Sequence, residues 1–231
     1  LDMEMSFMSQ EDILELTERL FTKVITELFP EKKISSNPWP RITHQEAMEK
    51  YKTDKPDIRK NKDDNNELAF CYIVDWPLFE PELEDGHCAP AHHMFTAPKE
   101  SDIPLLEKEP LKARSWQHDL MLNGYEVGGG SIRIHDPKIQ EKIFELVGIS
   151  KEEAKEQFGH LLEAFQYGVP PHGGIAPGID RLLMVLLEKT NVREVVAFPK
   201  TGDNRDILMN SPSDVNEQQL KDLHIKLDLK K

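Results

Sequence analysis

Cysteine is scarce in this 231-residue sequence, which has two, Cys71 and Cys88. Two lone thiols build neither a disulfide framework nor a thiolate metal site, and they suit a reducing, cytoplasmic setting. Long apolar runs are missing, which excludes a stretch of about 20 apolar residues crossing a bilayer as a helix, and no signal peptide is visible. Basic charge is outnumbered, with Lys plus Arg at 29 and Asp plus Glu at 42, for a net charge of −13. That balance argues against non-specific binding to nucleic acid or membrane, though it leaves room for one local basic groove. Walker and Rossmann phosphate loops are absent, and there are no internal repeats. Nor is there an initiating Met. Leu1, Met3, Met5 and Phe7 alternate at once with Asp2, Glu4 and Ser6, so the sequence reads as the back part of something longer.

What is there has ordered secondary-structure signals. Ser9-x-x-Asp12 predicts a helix start, with Ile13, Leu16, Leu20, Val24 and Leu28 as its apolar stripe up to Pro30. Thr43-x-x-Glu46 predicts a short helix ending near Tyr51, and residues 52–67, charged and polar, an exposed loop. "LAFCYIVD" (68–75) reads as a buried strand, and residues 119–134 as two strands joined by the glycines Gly128 to Gly130. Helices are expected over 137–147, over 151–167 behind Ser150-x-x-Glu153, and over 178–189 after "GGIAP". "REVVAFP" (193–199) reads as a further strand, and the polar tail from Ser213 as a last helix with frayed terminal lysines. Strands and helices mix without regular alternation, which predicts an α+β fold with a mostly antiparallel sheet.

Three constellations carry chemistry. In "EVGGGSIRIH" (126–135), three glycines that are costly to order lie between Glu126 and Arg133, with Asp119 upstream on what reads as the same strand or a bent one. Carboxylates beside a bare backbone suit Mg²⁺ with nucleotide phosphates, and an arginine fork suits a carboxylate or phosphate; a β-bulge with ordinary surface charges fits equally well. In "GGIAPGIDRLLMVLL" (173–187), Arg181 stands in the first turn of an apolar helix, where free N–H groups meet anions, although a pair with Asp180 or Glu188 would also account for it. In "AHHMFTAPK", His92 and His93 are adjacent and so point to opposite faces of a strand, poor geometry for one metal. Lys55, Asp57 and Lys200 read as exposed loop charges without a derivable role.

"LDMEMSFM", "YKTDKPDIR", "VDWPLFE", "HHMFTAPK", "DLMLNGYEVGGGSIRIH", "HGGIAPGIDRLLMVL" and "EVVAFPKTGDNRDILMNSPSDV", in that order, resemble the catalytic domain of bacterial-type aspartyl-tRNA synthetases. The likeness runs from Leu1 to about Leu227, and "GGIAPGIDR" is similar to motif 3 of the class II synthetases. The resemblance implies a class II core, a mostly antiparallel sheet flanked by helices. It implies ATP and L-aspartate as substrates, Mg²⁺ as cofactor and tRNA(Asp) as partner, with a homodimer in the full-length protein and no membrane. By the same resemblance Asp119 and Glu126 hold Mg²⁺ and ATP, and the glycines clear space for aspartate. Arg133, His92, His93 and Ser131 surround the amino acid; Arg181 stacks on adenine and reaches the γ-phosphate, with Gly178, Ile179 and Asp180 along the nucleotide edge. No side chain serves as nucleophile or general base.

Departures from the family pattern set further expectations. Residues 1–8 resemble only the second strand of motif 2, so the motif 2 arginine, motif 1 and the anticodon-reading OB-fold lie outside this sequence. So does the loop carrying a second aspartate-recognising cation. The inserted domain usual in bacterial relatives is reduced to a short loop near 58–68, and "YKT" stands where a glycine is usual. The isolated chain is therefore expected to be inactive. The alternatives are a tRNA-independent aspartate–ATP ligase and a non-catalytic paralogue that only binds ligand.

Overall fold

The computed structural model describes residues 1–228; the frayed terminal lysines expected from the sequence, Lys230 and Lys231, lie outside the described residues. The chain opens with strand β1 (Met3–Ser6), helix α1 (Gln10–Leu28), strands β2 (Lys33–Ile34) and β3 (Arg41–Thr43), and helix α2 (His44–Tyr51). Strands β4 (Glu67–Leu68), β5 (Phe70–Val74), β6 (Phe79–Glu84), β7 (His87–Pro90), β8 (Gln117–Leu122) and β9 (Tyr125–Ile132) follow. Helices α3 (Pro137–Leu146) and α4 (Lys151–Gln166), strand β10 (His172–Pro177), and helices α5 (Ile179–Leu186) and α6 (Glu217–Asp222) complete it.

Six strands form the main sheet in the order β1-β10-β9-β8-β5-β3, antiparallel except for the β3–β5 pair. This is the expected α+β architecture. One face carries Phe70, Tyr72, Val74, Leu120, Leu122 and Ile175 and packs against α1 and α5. Each such side chain contributes roughly 1.5–3 kcal/mol by burial. The other face is covered at one end by α2 with Trp76, Ile73 and Met121. A second core, including Leu78, Phe79, Leu106, Ile134 and Ile143, joins the β6–β7 hairpin to α3. It forms a wall beside the uncovered part of that face. No helix among the described residues is long and apolar enough to cross a membrane.

Capping boxes at Ser9–Asp12, Thr43–Glu46 and Ser150–Glu153 start α1, α2 and α4 as their sequences require, because both partners lie within one turn. Elsewhere the expectations are corrected. The buried face of α1 is Ile13, Leu14, Thr17, Glu18, Phe21 and Ile25, whereas Leu28 is 69% exposed. Glu18 can sit inside because it accepts from Trp39 N and Arg41, so the apolar count misplaces the face. Strands β8 and β9 are joined by Asn123-Gly124, both at positive φ, and the glycine triplet lies inside β9. Asn-Gly is the preferred two-residue hairpin turn, a signal that outranks a run of glycines. "GGIAP" is itself strand β10, held between β1 and β9. "REVVAFP" is not a strand: Val192–Glu194 form a 3-10 turn, and the residues after it pair with no sheet edge among the described residues. The loop over 52–67 divides, with Pro56 buried and Asp57 to Arg59 half-buried against the hairpin turn, and Lys60 to Asp63 exposed.

Candidate active site

Strand alternation sorts the sheet's side chains. Met3 and Met5 of β1 join the core, so Glu4 faces the uncovered side. On β8, Leu120 and Leu122 join the core, so Gln117 and Asp119 face the uncovered side. Asp119 pairs in register with Gly129, and Gln117 with Ser131. The result is a floor of β1, β10, β9 and β8 that carries polar groups above and apolar ones below.

The glycine triplet proves to have divided duties. A Cβ on Gly129 would stand 3.1 Å from Asp119 Oδ1, so this residue clears the floor. A Cβ on Gly130 would meet the Gly174 carbonyl oxygen at 2.1 Å, so this one is bare to let β10 approach β9. Beneath it, buried His118, opposite Gly130 in register, reaches across to the Gly174 carbonyl at 3.2 Å. Its Nδ1 accepts from Gln10 Nε2 at 3.3 Å, so the ring ties β8 and, across β9, β10 to the start of α1. Burial pushes the His118 imidazole down to about 4, and it stays neutral.

Residues 91–98 run through bends and a turn and then bridge singly to Arg133, just past β9, at Thr96, and to Ser115 at Pro98. Ala97 N donates to Ile132 O at 2.9 Å and Ile134 N to Phe95 O at 3.0 Å. The two histidines lie at the bend before these bridges, not on a strand as expected, and they take different partners. His92 Nε2 lies 3.4 Å from Asp119 Oδ2, its ring edge-on to Trp76. His93 Nε2 accepts from Arg133 Nη1 at 2.5 Å. Burial, Arg133 and His92 together push His93 down to about 4, so it remains a neutral acceptor.

Arg133, just past β9, also donates through Nε and Nη2 to Glu4 Oε1 at 3.2 and 2.6 Å. A guanidinium has five N–H groups. With those three engaged, one N–H remains on each terminal nitrogen, a fork shaped for a carboxylate. At the other end of the floor, Glu126 lies between Lys55 Nζ at 3.2 Å and Arg181 Nη1 at 3.5 Å, and Arg181 also donates to Glu126 O at 2.9 Å. Gly178 is the N-cap of α5, with Ile179, Asp180 and Arg181 in its first turn. A hollow of about 260 Å³ brings Gly178, Asp180, Arg181, Glu126 and Gly129 together. An adjoining hollow of about 350 Å³ takes in His92, Asp119, Glu126, Lys55 and His44.

The sequence placed Asp119 and Glu126 on one strand or a bent one; they stand on the two strands of a hairpin, and the second hollow joins them. Lys55, read as a charge without a role, is a partner of Glu126, and Asp57 is the bidentate partner of Arg59. Glu4 and Gln117 were not singled out from the sequence, although alternation with Met3, Met5 and Leu120 could have put both on the site face. Lys200 stays at the surface, its carbonyl accepting from Arg193 Nε. Two larger hollows, about 690 and 680 Å³, lie against α1 and at the α3–α4 junction, and neither contains any of the residues predicted for the site. Chemistry, not volume, marks the site.

A sheet floor of this order, with an arginine in the first turn of the following helix, is the frame of a class II synthetase. The profile of the family described as "tRNA synthetases class II (D, K and N)" matches residues 1–202, and the chain belongs to that family. It is 35% identical over 352 aligned residues to an "Aspartate--tRNA(Asp/Asn) ligase" of Rubrobacter xylanophilus, covering 99% of this chain and 58% of the relative. Against the enzyme of the same name from a Thermoanaerobacter species it is 53% identical over 171 residues, covering 74% of this chain and 29% of that one. The chain thus spans little more than half, or less, of the lengths of these relatives. In fold it is similar to the aspartyl-tRNA synthetase of Entamoeba histolytica, with a TM-score of 0.65 and 22% identity over 89% of this chain and 43% of the other. The asparaginyl-tRNA synthetase of Pyrococcus horikoshii superimposes with a TM-score of 0.61 and 17% identity, covering 87% and 48%.

Proposed function

We propose that this chain supplies the aspartate- and ATP-binding floor of an aspartate–tRNA ligase. Aspartate would attack the α-phosphate of ATP to give aspartyl-adenylate and pyrophosphate, and the adenylate would then acylate the 3′ end of tRNA(Asp). The observation that carries this reading is Arg133, held on two sides by Glu4 and neutral His93 with its terminal fork free for the substrate's side-chain carboxylate. Ser131, buried on β9 two residues before Arg133 with its hydroxyl unpartnered, fits as a pocket residue. His92, over Asp119, fits at the edge of the amino-acid site. Arg181, anchored by Glu126 and half exposed at the hollow's mouth, is placed to meet a base or a terminal phosphate, with Gly178, Ile179 and Asp180 alongside.

The residues present fit a magnesium ion in one way. Among the described residues no three His, Cys, Asp or Glu side chains converge on a point. Asp119 and Glu126 share one hollow, and Mg²⁺ with nucleotide characteristically takes one or two carboxylates, its other ligands being phosphate and water. When bound it would neutralise phosphate charge. The protein's own part is positioning and electrostatics, with no side chain acting as nucleophile or base. By the same reading the enzyme acts in the cytoplasm and as a homodimer at its relatives' full length.

The test is exchange of labelled pyrophosphate into ATP, followed by tRNA charging, in a protein of the relatives' length containing this chain. Exchange that requires aspartate supports the reading. Exchange without charging would point to a tRNA-independent ligase, and its absence with intact ligand binding to a non-catalytic paralogue.

A further inference from the structure

Gln117 and Asp119 are two residues apart on β8, both only 4% exposed, and both on the site face. Gln117 Nε2 donates to Asp119 Oδ1 at 2.8 Å. We infer that Gln117 is a positioning residue of the site, pinning one oxygen of Asp119 so that the other is presented to a bound metal–nucleotide. The inference rests on the proposal that Asp119 serves the metal.

Two observations separate this from simple packing. First, the amide is oriented at a cost. Turned the other way, its carbonyl would oppose a carboxylate, so the bond fixes which end faces Asp119. Gln117 Oε1 is then left buried without a partner, and so is the hydroxyl of Ser131, its partner in register across the strands. A buried acceptor without a donor destabilises a fold, and an apolar side chain of similar size would remove the penalty. What the amide supplies is the bond to Asp119.

Second, the surroundings are cut to fit that bond. A Cβ on Gly129 would lie 3.1 Å from Asp119 Oδ1 and 3.8 Å from Gln117 Nε2, so the bare backbone admits the pair. With Oδ1 engaged, Oδ2 is the oxygen facing His92 at 3.4 Å, beside the hollow shared with Glu126 and Lys55. The terminal torsion of an aspartate is broad when nothing holds it. Mg²⁺ demands near-ideal octahedral geometry, so a carboxylate already fixed to one-oxygen donation spares the ion the cost of ordering it.

The experiment uses Mn²⁺ as the probe, titrated into the 231-residue chain with ATP and followed by electron paramagnetic resonance, with melting temperature measured alongside. Q117L should bind Mn²⁺ about tenfold more weakly while melting no lower than the native chain, because it removes the orphaned acceptor. Q117M, unbranched and close in length, serves if the leucine variant does not fold, with the same expectation. D119N should lose more, and Q117L/D119N should lose nothing beyond D119N. Native Mn²⁺ affinity in Q117L or Q117M, with affinity lost in D119N, overturns the inference and leaves the reading of Asp119 standing. Native affinity in D119N, or no Mn²⁺–ATP binding by the native chain, overturns both.

Discussion

Replacing Arg133 by lysine keeps a positive charge on the floor and removes the fork. The native guanidinium spends three N–H groups on Glu4 and His93 and has one on each terminal nitrogen for a ligand. A lysine ammonium has three protons in all, and two native partners compete for them before any substrate arrives. At least one of two charge-assisted bonds to the substrate is lost, and the other is weakened. Hydrogen bonds to charged groups are worth about 1.5–3 kcal/mol each, so R133K should bind a non-hydrolysable aspartyl-adenylate analogue about 3 kcal/mol less tightly, on the order of 100-fold. The fold should notice far less. The Arg133 and Glu4 side chains are 27% and 41% exposed, and pairs that exposed contribute about 0–1 kcal/mol, or at most about 2–4 °C in melting temperature. Titration calorimetry with the analogue, beside thermal melting, separates the two effects. An R133K chain that binds the analogue within threefold of native refutes the argument. A large fall in melting temperature would show instead that Arg133 mainly braces the sheet.

Other consequences follow from the same geometry. His118 and His93 are both held neutral with folded values near 4, below the ordinary 6.5, so the unfolded chain takes up protons first. Their stabilisation is complete above about pH 6.5 and is lost as pH falls toward 4; His118 alone accounts for about 3 kcal/mol, and urea midpoints measured from pH 7.5 to 4.5 should fall over that window. Midpoints flat down to pH 5 would contradict it. G130A, which drives a methyl into the Gly174 carbonyl, should cost 3 kcal/mol or more in folding, at or above the upper end of the ~1–3 kcal/mol typical of overpacking, whereas G129A should fold nearly normally and lose ligand binding. Equal melting temperatures for the two would refute the division of labour between these glycines. E126Q should weaken ATP use in the pyrophosphate-exchange assay in a way that added Mg²⁺ partly relieves; low activity that stays flat across a magnesium titration would remove Glu126 from the metal.

Legibility in the sequence followed the range of the interactions. The helix starts were readable because Ser9, Thr43 and Ser150 find their partners within one turn. Strand β5 was readable because all five of its residues are buried, leaving an unbroken apolar run. The face of α1 was not, because Glu18 is buried by a contact with Trp39 and Arg41, a condition outside the helix itself. Strand β10 was hidden by its glycines, which are there for strand proximity, and "REVVAFP" has strand composition but pairs with no sheet edge among the described residues. At the site, the resemblance named residues on β8, β9, the 91–98 segment and the start of α5; His92, Asp119 and Glu126 line one hollow, and Glu126, Gly178, Asp180 and Arg181 another. It left out Glu4, Lys55 and Gln117, whose roles depend on partners fixed by strand register or by a packed loop.

The central claim is that the Arg133 fork reads a side-chain carboxylate. Calorimetric titration of the 231-residue chain with aspartyl- and asparaginyl-adenylate analogues tests it most directly, since the two ligands differ only at the group Arg133 would grip. The aspartyl analogue should bind at least tenfold more tightly, and the preference should vanish in R133M, which removes the charge together with the fork. Equal affinity for the two analogues, or a preference for aspartyl that survives in R133M, would contradict the account.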